Sequence, residues 1–391
     1  MRKIFITTIL SFFGLLILIV IYLSLFGIKT NQFNDFINNK IKDLNPRLTL
    51  KTKDIYLKLN LNDRTVKINT NNTILKIEED IIKLSQININ LDLIKFIKNK
   101  NSINNINIIS AENNIKNVTN FINSYKFNIS RTIIFNQINS GFIQASANIL
   151  FDKEIKNDFS LEINGKVTNA SLNIFNKEKI NNINFDFNIK DQFYEILNSE
   201  ITYKNTEYSS EQIYVEKSNN NFLIKGNVKN KKGLVEPKLF LKIFGIKQDL
   251  IKEKQKILLD SDNEFSFVLK PDRSLDNLSI NSYINFDKII FKNQIKNFIY
   301  LKDGNIKTKF ENKKLNILID SKYSFINQNV INKDDKIKIN IEKRNNKKIK
   351  VDANFKTENL KINIDEFSKF VSFYNELFKK HELVVDSVNQ V

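Results

Sequence analysis

Apolar and polar residues alternate one by one along most of this chain, which is the pattern of a β-strand with one apolar face and one solvated face. Residues 183–190 show this alternation clearly, and their apolar positions are Ile183, Phe185, Phe187 and Ile189. Similar runs recur from residue 48 to residue 364, with residues 65–70 and 73–77 as two successive strands. We therefore predict a mainly β protein, built as an antiparallel sheet with a few short helices.

A few segments carry apolar residues at helical spacing, or helix start signals, in place of the alternation. We predict helices over residues 31–43, 92–97, 117–124, 235–257 and 365–383. Asp92 is a suitable N-cap residue for the second of these, and Pro237 suits the first turn of the fourth. From residue 127 to the fourth helix, the pattern predicts almost only strands.

The changes of pattern along the chain divide it into regions. In order, we predict a short cytoplasmic N-terminus (1–3), a transmembrane anchor (4–28), a membrane-proximal β/α region (29–125), a β-meander (126–234), a helical interruption (235–257), a second β-meander (258–364) and a C-terminal amphipathic helix with a tail (365–391).

The run from Ile4 to Ile28 contains no charged residue. About 20 apolar residues on a helix cross the hydrocarbon core of a bilayer, so this run is long enough for a transmembrane helix. Arg2 and Lys3 precede it, and the positive-inside rule then keeps the N-terminus in the cytoplasm. A cleaved signal peptide is the alternative, but its apolar core is shorter and ends at a small-residue site, which residues 27–30 do not resemble. We predict an uncleaved, single-pass anchor in the inner membrane, with the body in the periplasm.

The formal net charge of +18 raises the question of nucleic-acid or anionic-lipid partners. Nucleic-acid sites favour Arg, which makes bidentate contacts with bases and phosphates, but almost all the basic residues here are Lys. Ile, Asn and Lys are all abundant, and AT-rich codon usage explains much of that excess. We predict no nucleic-acid partner, whereas weak attraction to anionic lipid head groups is compatible with the charge.

Residue types that carry most enzyme chemistry are scarce. The chain has no Cys and one His, His381, so a thiolate metal site, a disulfide framework and a His-dependent catalytic triad are all disfavoured. No glycine-rich phosphate loop, nucleophile elbow or zinc-protease motif occurs. Acidic pairs such as Asp334–Asp335 fall in polar connections. We predict a protein that is not an enzyme, with no catalytic residue, metal or cofactor; the enzymatic alternative is a glycosidase with carboxylates in a polar cleft.

The predicted helices are too few to cover the apolar faces of so many strands. Those faces therefore either pack on each other or line an apolar groove of the size of a lipid, and a large exposed apolar surface usually marks an interaction site. The candidate groove residues share the alternating apolar positions of the meander and are Ile183, Phe185, Phe187, Ile189, Leu172, Ile174, Phe222 and Ile224. A shift of one residue in register would turn each of them to the solvated face.

Several features together resemble the AsmA-like family, which includes AsmA, TamB and YhdP. They are the N-terminal anchor, a helix that ends at Asn45–Pro46, strands that begin at Asp54, the block Ile87–Ile97 and the strand Ile103–Ser110. The stretch from Gly165 to Val228 is similar to the repeating β-meander of that family.

This resemblance implies a β-taco or repeating-groove architecture and a role in moving phospholipid between the inner and outer membranes. On that basis we predict a periplasmic β-groove protein that binds or transfers phospholipid and supports outer-membrane homeostasis, with an envelope protein as a possible partner. The chain is shorter than the large members of the family and ends in a predicted amphipathic helix. The alternative is an envelope assembly or scaffold protein with a closed β core and no bound lipid.

Overall fold

Long β-strands make up most of the molecule in a computed structural model that describes residues 2–31, 34–53, 55–98, 102–151, 159–174, 178–236, 256–272, 274–292, 298–327, 330–344, 350–356 and 382–387. The prediction of a mainly β chain is confirmed, with open antiparallel sheet and few helices, whereas the groove architecture stays a prediction. It divides into two compact units, which we call the N-terminal unit (Met1–Ile196) and the C-terminal unit (Leu197–Val391).

Among the described residues, helices are interspersed with the strands up to residue 135. The helices are α1 Arg2–Leu25, α2 Asn34–Leu44, α3 Leu93–Ile97, α4 Ile115–Tyr125 and α5 Ile129–Phe135. The strands up to the boundary between the units are β1 Ile28–Thr30, β2 Leu48–Lys51, β3 Ile55–Asn60, β4 Thr65–Ile77, β5 Asp80–Asp92, β6 Ile103–Ser110, β7 Asn113–Asn114, β8 Ile138–Phe151, β9 Phe159–Ile174, β10 Glu178–Lys190 and β11 Phe193–Tyr203, which contains that boundary. The strands of the C-terminal unit are β12 Thr206–Ser218, β13 Asn221–Val235, β14 Ile257–Leu269, β15 Leu275–Lys292, β16 Phe298–Glu311, β17 Lys314–Asn327, β18 Val330–Arg344, β19 Lys350–Lys356 and β20 Glu382–Ser387.

Strand order in the N-terminal sheet follows the chain closely. β1 pairs with β3, β2 and β3 both pair with β4, and β4, β5 and β6 follow in sequence. β6 and β7 both pair with β8, and β9 and β10 complete the meander. All of these pairings are antiparallel. Where the connection is short, as at residues 78–79 between β4 and β5, a parallel pairing is not possible.

Two helices cover one end of this sheet. Phe121 of α4 is buried against Leu48 and Ile77 of the sheet, and Ile41 of α2 packs on the same cluster. Apolar residues at helical spacing put one apolar side of each helix on the sheet, as the sequence predicted for these two segments. The apolar face of the N-terminal sheet is therefore covered by helices at the end where β2, β4 and β5 meet.

Polar contacts fix the ends of these helices. The Asn114 side chain caps α4 by accepting a hydrogen bond from the Lys116 N–H at 2.9 Å. Arg47, directly before β2, donates to the Ser124 carbonyl at 2.8 Å and pairs with Glu78 at 3.3 Å. The α2–β2 connection and the C-terminal end of α4 are thus tied together.

The first helix, α1, joins the N-terminal sheet through β1, at the edge formed by β3. The Tyr56 hydroxyl donates to the Phe26 carbonyl just beyond the end of the helix. Large apolar side chains of α1 are exposed, among them Leu18 at 64% and Leu25 at 62%. Among the residues that the structure describes, we find no helix that combines the length and the apolar character needed to cross a membrane.

The C-terminal unit is a second antiparallel meander. β12 to β19 pair with their neighbours in sequence order, and β20 adds to β19 in parallel. Its main apolar cluster includes Leu259, Phe286, Leu301 and Tyr323, and the last two are each only 2% exposed. Every element that the structure describes in this unit is a strand. The described members of this cluster are therefore all strand residues.

Many strands contain a residue with left-handed backbone. Within the described strands these residues are Asn72, Asn169, Asn182, Asn198, Lys232, Asn277, Asp303 and Asp334. Asn and Asp tolerate this conformation better than most residues. In β4, Thr70 before Asn72 and Thr73 after it are both buried, although they are three residues apart. The alternation of buried and exposed positions therefore shifts by one residue at Asn72, while the strand continues. Part of the high Asn content thus has a structural use beyond codon composition.

Two sequence predictions before residue 140 are wrong. Residues 65–70 and 73–77 form the single strand β4, because the bend at Asn72 shifts the alternation without ending the strand. The segment after residue 127, predicted as strand, contains α5. The Asn128 side chain caps α5 by accepting from the Arg131 N–H at 3.0 Å, and seven residues are too few to show a helical period.

The two later predicted helices fall mostly outside the described residues. Within the segment 235–257, the terminal residues Val235 and Ile257 are strand residues that pair directly with each other. Within the segment 365–391, residues 382–387 form β20, so the predicted helix does not extend to residue 383. Pro237 and His381 both lie outside the described residues.

Candidate functional site

Cross-strand register aligns the apolar positions of the N-terminal sheet into continuous rows. Residues directly opposite each other on paired strands have neighbouring side chains on the same face. One row crosses seven strands and consists of Ile55, Thr70, Ile87, Ile108, Ala147, Ile163 and Ile189. The adjacent row crosses six strands and consists of Leu57, Ile68, Ile89, Ile106, Ile149 and Leu161. We call these two rows the N-terminal apolar face.

Most of the candidate groove residues from the first meander lie on the strands that complete this face. Four lie on β10 opposite small or apolar residues of β9, in the pairs Ile183–Ala170, Phe185–Val167, Phe187–Gly165 and Ile189–Ile163. Leu172 lies opposite Ile180 in the same hairpin. Ile174 lies opposite Glu178, and its side chain is outside the described residues. That these residues line a lipid groove stays a prediction.

Phe187 has a structural role in this hairpin. A Cβ atom built on Gly165 would lie 2.4 Å from the Phe187 ring, so the ring covers the glycine backbone. The C-terminal sheet repeats the arrangement, since a Cβ atom on Gly304 would lie 2.3 Å from the ring of its cross-strand partner Phe286. An aromatic ring that packs over a glycine in the facing strand compensates for the missing side chain. Packing over Gly165 therefore accounts for the Phe187 side chain without a bound ligand.

Burial differs along the N-terminal apolar face. Ile87 is 9% exposed and belongs to the cluster onto which Ile41 of α2 packs, and Ile55, at the β3 end of the row, is fully buried. Ile108, Ile163 and Ile189, further along the same row, are half-buried. The face is therefore closed at one end and partly accessible along the rest of its length.

The C-terminal sheet also has a continuous row of residues, on the face that carries its buried apolar cluster. It crosses eight strands and consists of Tyr208, Asn230, Ser261, Ile284, Ile306, Ile319, Ile339 and Ala353. We call this row and the cluster around Tyr323 the C-terminal apolar face. The candidates Phe222 and Ile224 lie on β13, opposite Leu269 and Phe267, and are half-buried. The candidate groove residues are thus divided between the two units.

The polar end of this row is a hydrogen-bonded cluster. Asn230 donates to the Leu259 carbonyl at 3.0 Å and accepts from the Ser261 hydroxyl, which in turn accepts from Asn263 at 2.8 Å. A Cβ atom on Gly233 would lie 2.3 Å from the Asn230 amide nitrogen, so only glycine leaves room for this side chain. Because these polar groups satisfy one another, the cluster stabilises the bulge between Asn230 and Gly233.

Tyr208 stands opposite Asn230 at the start of the row. Burial is the main cause that raises the pKa of the Tyr208 phenol above its usual value, and the nearby Tyr203 acts in the same direction. The phenol is therefore neutral at physiological pH and lies next to the polar end of the row.

The solvated face of the C-terminal sheet has a depression of about 630 Å³. Its polar lining includes Glu211, Lys225, Asn227, Glu264 and Ser279. Glu211 accepts a hydrogen bond from Lys229 at 2.7 Å, which lowers the pKa of the Glu211 carboxyl. An ion-paired carboxylate does not hold a proton to donate, so Glu211 is not arranged as a general acid. Across the described ranges, no three potential metal ligands lie close enough together to hold an ion.

A row of lysines crosses the same solvated face. Its members, each directly opposite the next, are Lys288, Lys302, Lys322, Lys336 and Lys356. Neighbouring acids offset part of the charge, since Asp303 pairs with Lys322 at 3.1 Å and Asp334 with Lys302 at 3.7 Å. Like charges directly opposite each other destabilise a sheet, so this row has an electrostatic cost.

Comparisons of the chain with protein-family models, with curated proteins and with solved structures find no match. The resemblance to the AsmA-like family therefore stays a prediction that rests on the sequence features given above.

Sequence reasoning missed the two Phe–Gly pairs and the polar cluster. Gly165 occupies an apolar position of the alternation, between Ile163 and Val167, and that placement was the available signal. The identity of the covering ring depends on register, which alternation along one strand does not contain.

Proposed function

We propose that this chain is a membrane-anchored envelope protein of the AsmA-like type, which binds or transfers phospholipid along an elongated β-groove. The observation that supports this proposal is the N-terminal apolar face, a row of mainly aliphatic side chains over seven strands that stays half-buried away from its helix-covered end. Long, continuous apolar surface that is accessible at the side of a sheet suits the acyl chains of a lipid.

Membrane attachment is assigned to α1 in this proposal. Phe13, Leu18 and Leu25 are each more than half exposed, so the sheet does not account for the apolar surface of this helix. Arg2 and Lys3 at its start favour a cytoplasmic N-terminus, which would place the sheets in the periplasm next to the inner membrane.

Mass spectrometry of lipids that remain on the purified full-length chain tests the proposal directly. The protein is extracted in detergent and washed until free phospholipid is gone. We expect phospholipid to remain in a reproducible molar ratio to the protein. Protein that is folded but carries no phospholipid would overturn the proposed function.

A charge introduced by mutation on the N-terminal apolar face tests where the lipid binds. Phe185→Glu places a carboxylate among half-buried residues of the groove candidate, whereas Gln144→Glu places the same charge on the exposed side of the same sheet. We expect Phe185→Glu to lose most of the bound lipid while its circular dichroism spectrum stays native, and Gln144→Glu to keep the lipid. Because α1 is unchanged in both variants, lipid held only by α1 would give equal amounts in the two and contradict the groove.

A closed β core without lipid is the second candidate. Ile55 and Tyr323 are almost completely buried, as in a dry core. In that case the wild-type protein carries no phospholipid, and Phe185→Glu unfolds the N-terminal unit because an unpaired charge in a closed core is very costly. Crosslinking to an envelope protein would then identify the partner of a scaffold.

A further inference from the structure

The segment formed by the end of α4, the following turn and α5 displays a dense group of exposed apolar side chains. Its members, with their exposed fractions, are Tyr125 (49%), Phe127 (69%), Ile129 (68%), Ile133 (57%) and Ile134 (65%). We call this group the α5 patch. Single exposed apolar residues are common on protein surfaces, but such a concentration within ten residues of sequence usually marks an interaction site.

The α5 patch is built on a defined local structure. The Arg131 guanidinium donates to the carbonyls of Ile122 and Lys126, which joins α5 to the end of α4. The Thr132 hydroxyl donates to the Asn128 carbonyl at 2.8 Å in the first turn of α5. These bonds hold the turn and the helix in place, so the apolar residues are presented outward by a fixed scaffold.

The scaffold is attached to the sheet on its other side. Ile115, Thr119 and Phe121 of α4 are buried, so α4 packs on the sheet while α5 follows it at the surface. The patch residues do not belong to that packing, as their exposure shows. Folding of the N-terminal unit therefore does not account for them.

Charge indicates what kind of surface would cover the patch. Residues 113–151 contain Lys116, Lys126 and Arg131 but no Asp or Glu, in a chain with 43 acidic residues. In the turn beside the end of α4, Asp80 accepts from the Ser124 hydroxyl at 2.6 Å and Glu78 pairs with Arg47 at 3.3 Å, while Glu79 between them is exposed. An apolar patch with basic and no acidic residues is complementary to an anionic lipid surface.

We propose that the α5 patch inserts into the interfacial layer of an anionic bilayer. Phe127, Ile129 and Ile134 would enter the region between head groups and acyl chains, while Tyr125 would lie at the head-group level, where an aromatic ring with a polar end is favoured. Lys126 would contact the lipid phosphates, with its aliphatic stem along the apolar surface. This contact requires a bilayer surface and is independent of lipid bound in a groove.

The chain contains no Trp, so a single Trp reports on this site alone. Phe127→Trp in the full-length protein, reconstituted into vesicles of phosphatidylcholine and phosphatidylglycerol, is compared with and without bromine on the acyl chains. We expect brominated lipid to reduce the emission roughly twofold or more, because the side chain would lie at the depth of the upper acyl chain. Tyr283→Trp, at an exposed position of the C-terminal sheet, is the matched control and should keep its emission.

Two further results decide between occupants of the patch. Quenching of Phe127→Trp should weaken in vesicles of phosphatidylcholine alone, and also when Lys126→Glu is added, because both changes remove the electrostatic attraction. Equal emission of Phe127→Trp with and without bromine, or equal quenching of the control, would overturn the lipid contact, and the first result would favour a protein partner. Lipid retained in the mass-spectrometry experiment reports on the groove separately, so either proposal can fail alone.

Discussion

The N-terminal unit covers one end of its apolar face with helices, whereas the C-terminal unit reaches the same degree of burial with strands alone in the part that the structure describes. In the first, Ile77 is fully buried and Phe121 of α4 packs against it. In the second, Leu301 and Tyr323 are each 2% exposed in a cluster whose described members are all strand residues. The same alternating sequence pattern thus gives two different ways of removing apolar side chains from water.

Irregular pairing accompanies the packing of strands in the C-terminal sheet. The pairing register shifts at the left-handed residues Lys232 and Asp303. Phe286 covers Gly304, so a large ring fills the space beside a glycine at the second of these shifts. A bulge changes the direction of the side chains that follow it, so these positions influence which residues reach the buried face.

Tyr323→Ala should have the largest effect on stability. Removing this buried ring from the strand-only cluster should lower the free energy of unfolding of the C-terminal unit by about 3–5 kcal/mol. Urea unfolding of the full chain measures the change. Leu318→Ala, on the same strand but 44% exposed, should change stability by less than about 0.5 kcal/mol. Equal effects would mean that the cluster is not closed.

Phe121→Ala tests the helix-covered end of the N-terminal unit. Loss of the buried ring should cost about 3 kcal/mol and loosen both α4 and α2 from the sheet. Hydrogen exchange should then speed up in residues 34–44 and 115–125, while residues 315–343 keep their protection. The exposed Phe142 provides the control, since Phe142→Ala should leave exchange in both helices unchanged. Loss of protection throughout the chain would contradict the separate roles of helix and strand cover.

Asn169 tests whether the left-handed bends are needed. Asn169→Val should destabilise the protein by about 1–2 kcal/mol, because a β-branched residue is strained at a positive φ. Asn169→Gly also removes the side-chain amide, but glycine adopts a positive φ without strain. This variant should therefore change the stability of the protein little. Thermal unfolding of the two variants side by side measures the difference. Equal stability would show that the strand does not depend on this conformation.

The smallest expected effect concerns the lysine row. Lys336→Glu puts an acid between Lys322 and Lys356 in the register of β17, β18 and β19. The change from like to opposite charges should stabilise the C-terminal unit by about 0.2–1 kcal/mol, and the gain should shrink as salt is added. Lys231→Glu, outside the row, serves as the control. A loss of stability in Lys336→Glu would show that its neighbouring acids dominate the local charge.

Much of the fold was predictable because its signals are local. Alternation over residues 183–190 identified a strand and its apolar face, and the spacing of Ile37 and Ile41 identified α2. The missed helix α5 is short and begins with Ile129, whose apolar neighbours also suit a strand. The bend at Asn72 was missed because a left-handed residue within a strand gives the same sequence signal as the gap between two strands.

The candidate site was predictable only in part. Phe185 and Ile189 lie on the same face with Ile183, as alternation requires, and their partners on β9 are apolar or small. The cover that Phe187 provides for Gly165, and the hydrogen bonds that satisfy Asn230, follow from cross-strand neighbours. Such neighbours are far apart in sequence, so no pattern along one strand specifies them.

By itself, the sequence determined that this protein is mainly β, that each strand has one apolar and one solvated face, and that a long apolar segment precedes the sheets. These properties depend on the period of two residues in a strand and on local hydrophobicity. The tertiary structure alone decided which strands pair, where the apolar rows are covered, and that α5 presents its apolar residues outward. Those properties depend on register and on bends at single residues, which bring together side chains that are distant along the chain.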